Sequence, residues 1–431
     1  LDTNGRSLNI DMDFSPYQND RLQFVDNITQ HFKTQTATSN FNIRQNALQN
    51  ISIYSAKLDY NHPLSKKWTL ETGLKWAQIQ NKNDLDFRYK TANDYVSDPI
   101  RSNGFEYKES IAAAYLNANG NLGKYWTIQM GFRGENTQLE GFSPTLQSSF
   151  QRRYFKLFPS FFLQRSMGEN HQVNLYYGMR IERPDYWRLN PFKYYTSPFS
   201  YLEGNPYLRP HYIHATELSY TFQQKYTFAL MYNHTVDYFT NITVQDNTSR
   251  VVTNTQANLD NSINYGVYAS IPLSIGGFWE SNNYAQVTGK REKSDFLNNR
   301  FDYQILNLYA ASNNAFVLSK DKTWKAELNI WYVTDGLQGI YRVNGNWAMD
   351  LGIKKSLWKS KATITLNLND IFYTNYWTLN VDYAGQKNGF VERNDTRQFS
   401  LSFAYKFGNS KIKEARQRKT SNEAERSRAN Q

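Results

Sequence analysis

The chain has 431 residues and a formal charge of +11, contains no cysteine, and is 40% hydrophobic with 16% aromatic residues. So many rings exclude a disordered chain, and the absence of cysteine excludes disulfide frameworks and thiolate metal or redox sites. No run approaches the about 18 apolar residues of a transmembrane helix, but a membrane-spanning strand needs only about 9–11 residues with alternate ones apolar.

Charge is concentrated at the end of the chain. Residues 411–431 hold seven Lys/Arg and three Glu, so +4 lies there and +7 in the other 410 residues. No groove-like basic run stands out, and no nucleic-acid partner is expected. The chain opens "LDTNGRSL" without a charged-then-apolar leader, so any targeting segment is expected to lie outside it or to have been removed.

Taken in order, the predicted elements are strands. Period-two patterning marks seventeen: 6–15, 20–30, 50–61, 67–79, 105–118, 125–138, 153–166, 171–182, 213–223, 226–241, 262–273, 277–289, 302–318, 323–334, 340–356, 360–370 and 396–407. In "WKAELNIWY", Trp324, Ala326, Leu328, Ile330 and Tyr332 share one face, opposite Lys325, Glu327 and Asn329. Successive strand residues point to opposite faces, so each segment is apolar on one side and polar on the other. Tight connections at 62–66, 119–124, 167–170, 223–225, 274–277, 319–322 and 357–360 alternate with longer ones. The longer ones lie at 31–49, 80–104, 139–152, 184–212, 242–260, 290–300 and 371–395, with one short exception at 335–339.

Short turns alternating with long loops predict an all-β, antiparallel, up-and-down transmembrane barrel. A stacked sandwich also alternates, whereas a propeller would repeat every 40–50 residues or so, and no such period is present. With the C-terminus inside the cell envelope, seventeen strands would start the first one outside. About five more would make the roughly 22 of a plugged outer-membrane transporter. The barrel is therefore expected over 1–408, incomplete at its N-terminus and without a plug, followed by a flexible basic periplasmic tail over 409–431. A solvated tail is preferred to one bound to periplasmic partners or lipid headgroups.

Two stretches carry a resemblance. "RIERPDYWRLNPFKYYTSPFSYLEGNPYLRPHYIHATELSYTF" (180–222) has Arg183-Pro184 soon after a strand, then Asn190-Pro191, then Gly204-Asn205-Pro206 and Pro210, and finally a Glu-Leu-x-Tyr strand. The ending "LSFAYKFGNSKIKEARQRKTSNEAERSR" (401–428) closes an alternating strand at Phe407 and continues into a basic tail with a late Glu-x-Ser-Arg-like element. Together they resemble TonB-dependent receptors, in particular the outer membrane beta-barrel family of Bacteroidetes-type bacteria. One departure is His211, where many members have Glu after the last proline. The resemblance implies a 22-strand outer-membrane barrel with an N-terminal plug gating import. It implies as partners outer-membrane lipids, the barrel insertion machinery that reads the terminal aromatic strand, TonB-type energy coupling through a plug outside this chain, and other outer-membrane or surface proteins. The competing reading is a non-transporting barrel that serves as a structural or assembly subunit.

No enzyme or cofactor is expected. His31, His62, His171, His211, His214 and His234 are scattered, and a strand sends His211 and His214 to opposite faces. Zinc-protease and nucleophile-elbow motifs are absent, and "VTGKREKS" (287–294) lacks the first glycine of a phosphate loop. Asp11 and Asp13 share a strand face but read as lumenal carboxylates. The candidate ligand contacts are the loop aromatics and their polar neighbours: Tyr186, Trp187, Arg188, Tyr195, Tyr201, Tyr207, Tyr376 and Trp377, with Tyr194, Tyr373 and Asn375 nearby. Trp68, Trp126 and Trp324, at strand ends, read instead as an interfacial girdle.

Overall fold

A computed structural model describes residues 5–35, 37–145, 147–407 and 420–429. One antiparallel sheet dominates it. Its long strands are β1 (Ser7–Gln30), β2 (Ala37–Pro63), β3 (Trp68–Lys90), β4 (Asn103–Leu122), β5 (Trp126–Ser143), β6 (Ser148–Met167), β7 (His171–Glu182) and β8 (His211–Phe222). They continue with β9 (Tyr226–Val236), β10 (Asn261–Ile275), β11 (Trp279–Phe296), β12 (Asn299–Val317), β13 (Trp324–Val333), β14 (Asn346–Leu357), β15 (Ala362–Asn369) and β16 (Gln398–Tyr405). Each pairs with its neighbours in chain order, as in an up-and-down barrel. Among the described residues no helix is long and apolar enough to cross a membrane.

The alternation read from the sequence maps onto two faces. On β1, Leu8, Ile10, Met12 and Phe14 are exposed on the outside, while Asp13, Ser15 and Tyr17 point inward and make polar contacts there. On β3, Leu74 and Trp76 face out, and Ala77, Ile79 and Leu85 are buried inside. Such an apolar belt matches hydrocarbon, whereas in water it would be a large unpartnered patch. Trp68, Trp126 and Trp324 each begin a strand at the short-turn end, where ring side chains mark a membrane interface.

The predicted count needs one correction. The segments 6–15 and 20–30 form a single strand, β1, paired without interruption from Ser7↔Asn61 to Thr29↔Ser39. "SPYQND" reads as a turn, but Pro16 is tolerated because β1 pairs only with β2 among the described residues, leaving one side free of ladder bonds. The sheet holds seventeen strands, one of them the three-residue Tyr95–Ser97, so sixteen are long. An even number places the start of β1 beside the short turns, because Ser7 pairs with Asn61 and Tyr405 with Ala362. The inference that the first strand starts at the opposite end is thereby overturned.

Several predicted loops are also strand. β2 runs through 43–50 and β3 through 80–90, in register from Ile43↔Tyr89 onward. β11 and β12 meet at a two-residue turn, Leu297 and Asn298, both at positive φ. In the β2 and β3 extensions the apolar positions move to the inner face, with Ile43, Leu85 and Phe87 buried there, so the outward apolar pattern ends while backbone pairing continues. Conversely, the short 335–339 connection belongs to a hairpin of Gly336–Gln338 and Tyr341–Val343.

The remaining long connections fold into two small sheets at the end opposite the short turns. Phe239–Asp246, Val251–Asn258, Ser200–Glu203 and Lys193–Ser197 make one, with Ser200–Glu203 running parallel to Val251–Asn258. The two hairpin strands above, with Trp377–Tyr383 and Gln386–Glu392, make the other.

The tail expectation is corrected in part. Residues 408–419 lie outside the described residues, as do 430 and 431. Residues 420–429 are not a solvated end. They include a one-turn helix, Glu423–Ser427, packed against the inner faces of β1 to β4.

Candidate functional site

The connection from β7 to β8, residues 183–210, crosses the mouth of the barrel. Pro184 presets an extended entry, and Tyr186–Leu189 close a 3-10 turn stabilised by an Arg188–Asp185 ion pair at 2.6 Å. Tyr186, Leu189, Phe192 and Leu208 are buried against Ile51, Ile79, Phe105 and Leu139 of the barrel wall. Each fully buried side chain of this size contributes about 1.5–3 kcal/mol, enough to hold the loop in the opening.

The motif residues explain themselves in this setting. A Cβ on Gly204 would lie 2.2 Å from the Asn190 carbonyl oxygen and 2.8 Å from that of Arg188. Only glycine lets the returning chain approach the 3-10 turn so closely. Next to it, the Asn205 amide donates to the Arg188 carbonyl at 2.7 Å, its Nδ2 donates to the Gln256 carbonyl, and its Oδ1 accepts from the Tyr207 amide. Asn205 thus ties together both halves of its own loop and the neighbouring connection. Pro191 and Pro206 line a cavity beside it, and Pro210 is buried where the loop re-enters β8. Arg183 reaches back to the wall, with Nη2 2.8 Å from Glu135 Oε2 and Nε 3.7 Å from Glu109 Oε1. His211, at the departure from the family pattern, sets Nε2 3.1 Å from Glu182 and its ring against Phe239.

Four cavities open around this loop, one of them, 340 Å³, between Arg183, Asp185 and Arg188 and the tail residues Glu425 and Arg428. A second, of 470 Å³, lies between the loop and the inner faces of β1, β2 and β3, lined by Arg21, Gln49, Asn83, Trp187, Asn190 and Tyr194 among others. Asn83 Nδ2 and Asn190 Oδ1 are buried and have no partner among the described residues, so wall and loop retain unused hydrogen-bonding capacity. Buried polar groups are rarely left unpaired. A third cavity, 280 Å³, is lined by Trp187, Arg188, Leu202, Gln256 and Tyr341. The fourth, 330 Å³, is lined by Phe150, Gly204 and Tyr207. A larger hollow of 560 Å³ lies on the outer face among Leu218, Phe228, Leu230 and Val267. Those exposed apolar side chains suit acyl chains and offer no polar recognition.

The predicted ligand contacts separate into groups. Trp187 and Arg188 line cavities, as does Tyr207, which is exposed and leans on Phe150. Tyr195 is held at both backbone groups by Gln45 and packs against Phe41, Phe87 and Tyr201. Tyr201 also lies beneath Lys193. Tyr376 is covered by Arg393 and Tyr373 by Arg397, while Trp377 is exposed. Tyr186 moves from ligand contact to core: it is 1% exposed, with Arg428 over its ring at 4.2 Å. Asn375 gives its amide to Asp370. Phe407 is 89% exposed just beyond β16. The histidines converge on no metal cluster among the described residues, and Asp13 is engaged by the tail.

Loop electrostatics follow burial. Burial pushes the Tyr194 hydroxyl up to about 12, against the pull of Arg21. It also raises the Glu203 carboxyl, opposed by Lys193. Asp370, at the base of the 370–397 connection, goes the other way. Burial disfavours its charge, but the Thr396 hydroxyl and the Thr374 and Asn375 amides outweigh it and hold the carboxyl below its ordinary value.

Sequence reasoning missed Gln45, Asn83, Arg21 and the tail residues, all of them wall or terminal positions that meet the loop only through the closed architecture.

With that geometry in view, the family profile described as "Outer membrane protein beta-barrel family" matches residues 1–405. The chain belongs to this family. Among solved structures, the sheet is similar to the pyoverdine outer membrane receptor FpvA from Pseudomonas aeruginosa bound to pyoverdine. That likeness has a TM-score of 0.63 at 11% identity and covers 94% of this chain and 60% of the other. The copper transporter OprC gives 0.62 at 11% identity, covering 91% and 62%. The ferric yersiniabactin uptake receptor FyuA from Yersinia pestis gives 0.58 at 11% identity, covering 92% and 59%. At such identities the likeness is one of fold, and the chain spans about three fifths of the length of these receptors. A sequence search among curated proteins finds no match. This family member is therefore an outer-membrane β-barrel protein whose fold is that of the barrels of these receptors and transporters.

Proposed function

We propose that this barrel is the ligand-capturing part of an outer-membrane receptor and transporter of the TonB-dependent type. The long connections face outward and the short turns and C-terminus face the periplasm. Outer-membrane lipids cover the apolar belt, the insertion machinery reads the terminal strand β16 with Phe407 just beyond it, and energy coupling acts through a plug outside these residues. The observation that carries this reading is the mouth itself. A loop rich in rings, anchored by the Gly204-Asn205-Pro206 motif, shares cavities of 330 and 470 Å³ with the inner wall and one of 280 Å³ with the neighbouring connections. Rings, amides and guanidinium groups in such cavities suit an organic ligand, such as a metal chelate or an oligosaccharide, by stacking plus hydrogen bonds.

Two measurements test it. Because the chain has no cysteine, Tyr207→Cys in intact cells should react with a membrane-impermeant maleimide, and Lys320→Cys in a short turn should not. The reverse pattern would overturn the orientation. Uptake of labelled ferric chelates and oligosaccharides should fall for at least one compound on deletion of the protein, and by about 10-fold in a Trp187→Ala variant. Unchanged uptake across the panel would sink the transport reading.

A further inference from the structure

The last described residues occupy a site no sequence pattern led one to expect. Ser421 donates to Asp13 Oδ2 through its amide at 2.8 Å and its hydroxyl at 2.6 Å, and its hydroxyl also meets that of Ser55. Asn422 Nδ2 donates to Ser15 Oγ, and Arg426 Nε donates to Tyr17 Oη. Glu425, 4% exposed, receives Lys75 on both oxygens at 2.8 and 2.9 Å. Arg428 places Nη1 2.6 Å from Glu109 Oε2, gives Nε to the Pro184 carbonyl at 2.9 Å, and lies on the Tyr186 ring. Its own carbonyl accepts the Tyr186 amide. Ala429 packs on the core of the mouth.

These contacts have the character of peptide recognition. Both charged anchors are desolvated and paired, the two acidic wall positions are matched by donors, and the spacing Glu425…Arg428 fits Lys75 and Glu109. Buried charges persist only when paired in this way. The wall side of the site comes from four different strands and the segment from 420–429, so the fit is not a by-product of chain continuity. At its far end the segment holds Pro184 and Tyr186, whose neighbours Trp187 and Arg188 line the cavities of the mouth.

We propose that the lumenal wall of β1 to β4 is a peptide-binding site for a Glu-x-x-Arg segment, occupied by the chain's own residues 420–429. Through this occupant, the 183–210 loop is held down from inside the barrel. The segment is a tethered ligand: the site recognises its side chains, and a separate copy of the same peptide takes the site when the tethered one is weakened. The inference does not depend on transport, since a scaffold barrel would show it equally.

The test uses the full-length protein, with resistance to SDS before heating as the folding control. In an Arg428→Glu variant the tethered segment loses its Glu109 partner, and a fluorescein-labelled peptide of residues 420–431 should bind saturably. The wild-type chain, self-occupied, should bind it at least about 10-fold more weakly, since a tether supplies an effective concentration near millimolar. Equal binding to both chains, or none to the variant, would overturn the proposal. Independently of that variant, Ser55→Cys with Ser421→Cys should cross-link on mild oxidation of the folded protein. Ser55→Cys with Glu423→Cys, whose tail position is exposed, should not. Absence of the first cross-link, or equal yields of the two, would refute the seat itself.

Discussion

The two ends of the barrel are built differently. At one end, connections such as 123–125, 168–170 and 223–225 reverse the chain in three residues. Gly123 sits there at φ +68 with nothing within 4 Å of a would-be Cβ. At the other end, Gly204 is pressed against two carbonyl oxygens, Asn205 bridges two connections, and the loops bury a core of their own. Both ends contain glycine, proline and asparagine. What differs is the job: backbone conformation at the turns, close approach at the mouth. Turn residues in a sequence therefore mark a fold-specific structure only when a long connection surrounds them.

Substitutions should separate the two ends, beginning with the largest effect. Arg183→Ala removes the buried partner of Glu135, while Glu109 keeps Arg428, and such a loss costs about 3–5 kcal/mol. The expected outcome is loss of protease protection across 183–210, while the barrel keeps its heat-modifiable band on gels. Gly204→Ala should cost the mouth about 3 kcal/mol by overpacking backbone on backbone, seen as faster hydrogen exchange at 186–210. Protection of that segment at the wild-type level would refute the close-approach account. Asp370→Asn should loosen the 370–397 connection by about 2 kcal/mol, because charged acceptors make the stronger hydrogen bonds. The pH dependence has a definite sign. Asp370 is depressed below its ordinary value of 3.8, so its contribution is complete above about pH 4 and disappears as pH falls through the lower, folded value. Exchange in 370–397 of the wild type should accelerate only under that acid condition, and the Asn variant should not show the step. The smallest change is expected from Gly123→Ala, about 1 kcal/mol for a left-handed alanine, with no effect on any loop. An effect at the mouth would break the contrast between the ends.

Much of this was legible in the residues. Trp324 to Tyr332 alternate as a wall strand must, and turns such as 168–170 and 223–225 fell where the sequence placed them, because hydrocarbon on one side imposes the period. The Gly204-Asn205-Pro206 motif announced a rigid return. What escaped was paired backbone whose apolar residues face inward among many polar ones, as in "NKNDLDFRYK" of β3, where Leu85 and Phe87 are buried but the overall polarity reads as loop. Pro16 escaped for the opposite reason, as a turn residue inside a continuous strand. Of the candidate site, Trp187, Arg188 and Tyr207 were visible as rings and charge in a loop. Asn83 and Gln45 were not, since nothing local distinguishes a wall amide that meets a loop 150 residues away from one that meets water.

The seating of residues 420–429 also orders events in time. Arg428 contacts Glu109 across 319 residues, Glu425 meets Lys75 across 350, and Ser421 meets Asp13 across 408. The full set of these contacts cannot form until the first four strands have paired. Contacts of such sequence separation are the slowest to be reached. Residues 420–429 are thus among the last to settle, and their seating certifies that the wall of β1 to β4 is already assembled.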